Sequence, residues 1–309
     1  MQAKMKRFIV KPSYAELLQK INPILFDVSL RDGIQSANPK HYDTQKKMNL
    51  LSTIYQKYAP PKMEIGAFVS PKTLPIMADT TEILNHVNSE ILDGNLSTEA
   101  YVLVPNKVGL LSAIYHGARN FSFITSVSND FQLKNTKRDL DYTKKELREM
   151  MRVISAIDHP CKTKLYVSCI NQCPIAGPID PDFIINEILK SYALADFECE
   201  NDQIDEICLS DTMGTLDVDT FEYIVDGLLR FGLDKSRISV HLHVNVDNAK
   251  DARRILRACF RRGINRFDVS AVKEGGCSVS LNASQLKPNL TYEFFYLMLE
   301  DYISDPDKR

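Results

Sequence analysis

The 309-residue sequence has almost no net charge, no long apolar run and no glycine-rich nucleotide loop. Each absence removes a class of function. Lysine and arginine number 38 against 40 aspartates and glutamates, a net charge of −2, so no whole-chain basic signal points to nucleic acid or to a membrane surface. No apolar run approaches the ~18 residues that span a bilayer. No G-x-G-x-x-G follows a strand-like segment, which argues against a doubly wound dinucleotide-binding sheet. The N-terminus, MQAKMKRFIVKPS, is basic but lacks the apolar stretch of a secretory signal. A mitochondrial presequence would be longer and richer in Arg and Ser, so a cytoplasmic location is expected. Seven cysteines are scattered along the chain, and Cys169 and Cys173 form a C-x3-C pair with no second pair to complete a zinc knuckle. Reduced thiols in a cytosol-like compartment are expected, most of them acting as small buried hydrophobes.

What is present is ordinary globular composition, with 44% hydrophobic and 25% charged residues, which argues against wholesale disorder. The length is ample for a core without disulfide staples. No linker, low-complexity tract or charge block divides the chain, so one unit over 1–309, with a short extension at about residues 1–20, is the simplest organisation. Short apolar runs read as strands at 24–29, 62–66, 100–104, 120–125, 164–169, 205–209, 238–243 and 265–271. Helical spacing fills 43–58, 74–88, 107–117, 139–157, 181–197, 217–231, 247–262 and 291–303. Strand then helix, eight times, predicts an α/β fold of the (β/α)8 TIM-barrel type, a parallel eight-stranded barrel.

In such a barrel chemistry sits at the C-terminal ends of the strands, and these ends are polar here. His241 and His243 are two of six histidines. Two apart on a strand, they point to one side and can reach one ion, although a half-buried strand with two hydrogen-bonded histidines reads the same way. Asp32 at the end of the first strand offers a third ligand. Two imidazoles and a carboxylate suit Mg2+ or Mn2+ ahead of zinc. Arg31 beside Asp32 can stabilise an enolate or carboxylate oxygen, or form a surface pair with its neighbour. Glu64 lies inside an apolar strand, where a carboxylate needs a partner or a function. Asp211 at the end of the sixth strand reads equally as a residue orienting the site or as a helix N-cap. Gly275-Gly276-Cys277 places one thiol in a flexible loop, an incidental turn cysteine or a general acid/base.

RDGIQ at 31–35, EIGAFVSPK at 64–72, YVSCINQCPIAG at 166–177, SDTMG at 210–214, VHLH at 240–243 and EGGC at 274–277 together resemble the 3-hydroxy-3-methylglutaryl-CoA (HMG-CoA) lyase family. That family belongs to the TIM-barrel metallolyases, with isopropylmalate and citramalate synthases. The resemblance runs in order over about residues 24–300, and the synthases' long C-terminal regulatory extension is not expected. It implies Asp32, His241 and His243 as metal ligands, Arg31 as the enolate stabiliser and Cys277 as the mobile-loop acid/base. Glu64 and Asp211 match acidic residues supporting the site. The family's fourth ligand is an asparagine about nine residues after the loop cysteine, where this chain has Leu286. With three residues inserted, Asn289 takes that role; Asn282 is the weaker candidate, and capping of the last helix is the other reading of Asn289. Glu293, four residues on, matches a further acidic position of the family.

The chain departs from the family at Val244-Asn245-Val246-Asp247 and in the SVSLNASQLKPN stretch at 278–289, where a glycine-rich loop is usual. Fewer glycines predict a stiffer lid. The resemblance implies a metal-dependent lyase acting on an acyl-CoA substrate, cleaving HMG-CoA to acetoacetate and acetyl-CoA, with a homodimer as its assembly. The rival readings are a condensing acyl-CoA/2-oxo acid synthase and a divergent barrel that binds metal or acyl-CoA without turnover.

Overall fold

In the computed structural model, which describes residues 18, 19, 21–193, 204–272 and 287–304, eight parallel strands close into a ring. They are β1 (Ile24–Asp27), β2 (Lys62–Ala67), β3 (Glu99–Leu103), β4 (Asn120–Ser126), β5 (Lys162–Ser168), β6 (Glu206–Asp211), β7 (Ile238–Leu242) and β8 (Arg266–Val269). Each pairs with the next, and β8 returns to β1 with Ile24 opposite Arg266 and Asp27 opposite Val269. This is the expected (β/α)8 barrel. The helices are α1 (Thr44–Tyr58), α2 (Thr80–Leu92), α3 (Lys107–Tyr115), α4 (Asn129–Thr136), α5 (Leu140–Ser155), α6 (Pro181–Ala193), α7 (Val218–Arg230), α8 (Ala249–Arg262) and α9 (Tyr292–Ser304). None among the described residues is long and apolar enough to cross a membrane.

The helices form where one apolar stripe meets the strands' outer faces. On α5 the stripe is Leu147, Met150, Met151 and Ile154, an i, i+3, i+4, i+7 set that covers one face of a helix. Outward-facing Leu165 and Val167 of β5 belong to the same buried layer. Side-chain N-caps fix several starts: Asp43 accepts from Lys46 N at 2.9 Å, Asp139 from Tyr142 N at 2.7 Å and Asp217 from Thr220 N at 2.9 Å.

Among the described residues the structure departs from the sequence pattern in several places, including a short hairpin of Gln172–Cys173 with Gly177–Pro178. The helix expected at 74–88 is a 3-10 turn, Pro75–Met77, followed by α2 starting at Thr80. There Asp79 is tied back to α1 by Lys47 at 2.5 Å and Thr44 at 2.9 Å, which separates the two pieces. Helix α4 was not expected: its sequence NDFQLKNT is mostly polar, and only Phe131 and Gln132 are buried. The first strand ends at Asp27, and Ser29–Gly33 forms a single π-turn, so Arg31 and Asp32 stand on a wide turn above the strand. Gly33 is needed there because a Cβ would come within 2.6 Å of the Val272 side chain and 2.9 Å of Ser270 Oγ.

Candidate metal centre at the barrel mouth

Three sequence-predicted residues converge. Asp32, His241 and His243 are each 5% exposed, and one ligand atom from each lies within 4.8 Å of the others. His241 is on β7 and His243 one residue beyond its end, so the two-residue period of the strand turns both rings the same way. Their Nε2 atoms are 3.3 Å apart, and His241 Nε2 is 3.8 Å from Asp32 Oδ2.

The opposite edge of each ring is fixed. His243 Nδ1 faces the Lys287 carbonyl at 2.9 Å, and His241 Nδ1 faces Asp268 Oδ2 at 3.1 Å. A carbonyl and a carboxylate only accept, so both Nδ1 atoms carry the hydrogen, and in the neutral form of each ring it is Nε2 that holds the lone pair. Burial pushes His243 down to about 4, so its ring is neutral at pH 7.

Asp32 is divided in function. Its Oδ1 accepts from Arg31 Nη1 at 2.6 Å and Gln35 Nε2 at 2.7 Å, while Oδ2 has no hydrogen-bond partner. Burial works against the charge, but the Arg31 guanidinium beside it holds the carboxyl well below the usual range, so it is ionised. Arg31 is gripped from its other side by Glu64 Oε2. That oxygen also accepts from Tyr166 OH at 3.3 Å, and the guanidinium lies 5.1 Å over the Tyr166 ring. Glu64 is fully buried and serves the arginine.

Asn289 joins the trio through backbone pairing. Residues 288–290 lie across the end of β7: Val244 N donates to Pro288 O at 2.7 Å, and Leu290 N donates to Leu242 O at 2.8 Å. This sets Asn289 opposite His243. The side chain is 1% exposed, and neither amide atom makes a hydrogen bond, yet it lies close enough to Asp32 to favour the charged carboxylate. The helix-cap reading fails, since Thr291 Oγ1 receives Phe294 N at 3.2 Å at the start of α9.

These donors fit a divalent cation. Two imidazole Nε2 atoms face each other, an ionised carboxylate oxygen points at them without a donor, and a buried amide has no partner. Ligand atoms of neutral imidazoles facing an ionised carboxylate in a buried site are unfavourable unless a positive charge lies among them. Hard oxygen with imidazole nitrogen is the ligand chemistry of Mg2+, Mn2+ and related ions. Above the trio is a cavity of about 720 Å3, with Arg31, Asp32 and His241 in its floor and Phe68, Leu103 and Phe131 in its walls.

Asp211 does not join the cluster. Its oxygens accept from Thr215 N at 3.0 Å and Leu216 N at 3.2 Å, and desolvation pushes it up to about 6 despite these bonds. It shapes the loop carrying Thr212, which lines the cavity. Glu293 lies away from the site, bonded to Tyr58 at 2.5 Å and Lys57 at 2.9 Å. Cys277, Asn282 and Leu286 lie outside the described residues. Gln35, Tyr166, Lys164 and Asp268 were not singled out from the sequence. Lys164 and Asp268 carried a signal, a charge inside an apolar strand, the same argument that selected Glu64.

The HMGL-like family model matches residues 22–270, from just before β1 to the end of β8. Hydroxymethylglutaryl-CoA lyase, mitochondrial, of Arabidopsis thaliana is 28% identical over 261 residues, 84% of this chain and 51% of that protein; the chain thus spans about half the length of that relative. Hydroxymethylglutaryl-CoA lyase of Pseudomonas mevalonii is 27% identical over 260 residues, 84% of this chain and 79% of that protein. The structure of an HMG-CoA lyase from Acinetobacter baumannii, in complex with coenzyme A and 3-methylmalate, shares the fold with a TM-score of 0.75 at 21% identity, covering 91% of this chain and 84% of that one. With a family match over most of its length and a closed barrel bearing these residues at its mouth, the chain belongs to the HMGL-like family.

Proposed function

We propose that this protein is a divalent-metal-dependent carbon–carbon lyase that cleaves HMG-CoA to acetoacetate and acetyl-CoA, using Mg2+ or Mn2+ ahead of zinc. The observation carrying this reading is the convergence of Asp32, His241 and His243, with Asp32 Oδ2 and the Asn289 amide lacking hydrogen-bond partners, beside a clamped arginine at the mouth of an HMGL-like barrel. Those four residues would hold the ion. When bound, a divalent ion would supply Lewis acidity toward substrate oxygens, acidifying the substrate hydroxyl so that its proton can pass to a general base.

The chain's own residues supply the rest. Arg31 lines the cavity, and its two carboxylate partners set its orientation before substrate arrives. A guanidinium has five N–H donors, so donors remain for the thioester enolate oxygen that develops as the C2–C3 bond breaks. Tyr166 and Glu64 hold the arginine in place. Cys277 is the proposed acid that protonates the enolate carbon to give acetyl-CoA, and Asp211 supports the loop beside the cavity. The cavity volume is in the range that encloses an acyl group, and the Acinetobacter barrel was captured with coenzyme A; both support an acyl-CoA substrate.

The test is incubation of EDTA-stripped protein with HMG-CoA, with and without Mg2+ or Mn2+. Acetyl-CoA release that requires metal supports the lyase. Consumption of acetyl-CoA with a 2-oxo acid in place of HMG-CoA cleavage identifies a condensing synthase. Silence in both assays with metal bound identifies a binding protein and overturns the proposal.

A further inference from the structure

The barrel interior beneath the metal centre is ionic. Lys164 on β5 is fully buried, with its ammonium 3.8 Å over the Phe26 ring. It contacts Asp268 Oδ1 and lies 3.0 Å from Glu206 Oε1. Glu206 is further paired with Lys62 at 3.2 Å and Arg266 at 3.1 Å. The other oxygen of Asp268 receives His241 Nδ1 at 3.1 Å, with the Cys208 thiol at 3.6 Å. A continuous path therefore runs from Lys164 through the two oxygens of Asp268 to the ring whose far nitrogen faces Asp32 and His243.

We propose that Lys164 and Asp268 are positioning residues that lock His241 in its Nδ1–H tautomer and so keep Nε2 bare for the ion. The inference deepens the metal-centre reading and rests on it. An ionised carboxylate offers His241 only an acceptor, so the ring must donate. A carboxamide at 268 would have one accepting and one donating end, and Lys164 decides which end faces where. The ammonium requires the oxygen, which turns the NH2 toward His241. The ring then accepts at Nδ1 and carries its hydrogen on Nε2, where the ligand lone pair is needed. Outer partners of this kind affect metal affinity by roughly 10–100-fold.

The lysine thus makes a specific, counterintuitive prediction. Asp268→Asn should weaken Mn2+ binding by roughly 10–100-fold. Adding Lys164→Met to that variant removes the reason for the amide's orientation. The amide oxygen can then face His241, and the double variant should bind Mn2+ several-fold more tightly than Asp268→Asn alone. Replacing Lys164 leaves Glu206 paired with Lys62 and Arg266. In Asp268→Asn, Lys164 in turn retains Glu206.

The experiment combines Mn2+ titration followed by electron paramagnetic resonance with 15N NMR of metal-free, 15N-histidine-labelled protein. The His241 signals are assigned by their loss in His241→Gln. The expected result is an Nδ1–H ring in the parent, an Nε2–H ring in Asp268→Asn, and partial return of Nδ1–H and of affinity in the double variant. If Lys164 and Asp268 are only a structural ion pair, the tautomer stays the same in all three proteins, or the double variant binds no better than Asp268→Asn; either result overturns the proposal. A parent that binds no Mn2+ defeats the metal reading, while the metal-free NMR still decides the tautomer claim.

Discussion

Replacing Asn289 with leucine should have opposite effects on the metal-free and metal-loaded protein. Without metal, the buried amide is a liability: it has no hydrogen-bond partner at either atom, and each unmade buried bond costs about 1–3 kcal/mol. Leucine has similar bulk and no such requirement, so the stripped variant should be at least as stable as the parent, offset in part by loss of the amide's help to the Asp32 carboxylate. With metal, the change removes a proposed ligand. At a metal concentration about 1,000 times Kd, binding stabilises the parent by about 4.1 kcal/mol. If the variant binds ~100-fold more weakly, the same concentration is ~10 times Kd and contributes about 1.4 kcal/mol. The difference, about 2.7 kcal/mol, corresponds to a metal-induced Tm shift smaller by roughly 5 °C. Thermal denaturation with EDTA and with Mn2+ measures both arms. A stripped variant destabilised by about 1 kcal/mol, the usual size of a lost helix cap, with an unchanged Mn2+ shift would refute the ligand assignment.

Three other outcomes are expected. His243→Ala should lose most bound divalent ion and nearly all turnover with its circular dichroism unchanged; equal metal content in variant and parent would remove His243 from the ligand set. Cys277→Ser should lower kcat while bound metal stays constant, and substrate should protect the thiol from alkylation; full activity after complete modification of Cys277 would exclude it. The third concerns pH. Burial, against bonds from Ser29 and Tyr292, pushes Asp27 up to about 6, so folded Asp27 holds its proton to higher pH than the unfolded chain does. Its contribution, about 3 kcal/mol for two pH units, is present below the unfolded value near 3.9 and lost as pH rises through 6. Asp211, pushed to the same value, acts in the same direction and His243, pushed down to about 4, in the opposite one, so the readout is the difference between proteins: relative to the parent, Asp27→Asn should lose about 3 kcal/mol less stability between pH 4 and 6, measured in EDTA; an unchanged slope would contradict the assignment.

The barrel was legible because strand and helix periods alternate cleanly eight times, and because two-residue spacing alone puts His241 and His243 on one side. Asp32 and Arg31 were legible as the polar end of the first strand, although the π-turn that carries them was not, since it depends on Gly33 packing under Val272. The position of Asn289 was open because it follows from backbone pairing of 288–290 with the end of β7, a long-range contact that local pattern does not encode. Asp211 reads from the sequence as either a residue orienting the site or a helix N-cap. Only the structure shows its two oxygens committed to the backbone of its own loop. Lys164 and Asp268 carry the same local signal as Glu64, a charge inside an apolar strand, but nothing local pairs them with each other. Their significance lies in meeting across the barrel, 104 residues apart in sequence.

The central claim is metal-dependent cleavage, and its most direct test is Mn2+ titration into EDTA-stripped protein with bound ion and acetyl-CoA release from HMG-CoA measured on the same samples. Turnover should rise in proportion to bound ion and level off at one ion per chain. Turnover indifferent to bound ion, or none at saturation, would contradict the account.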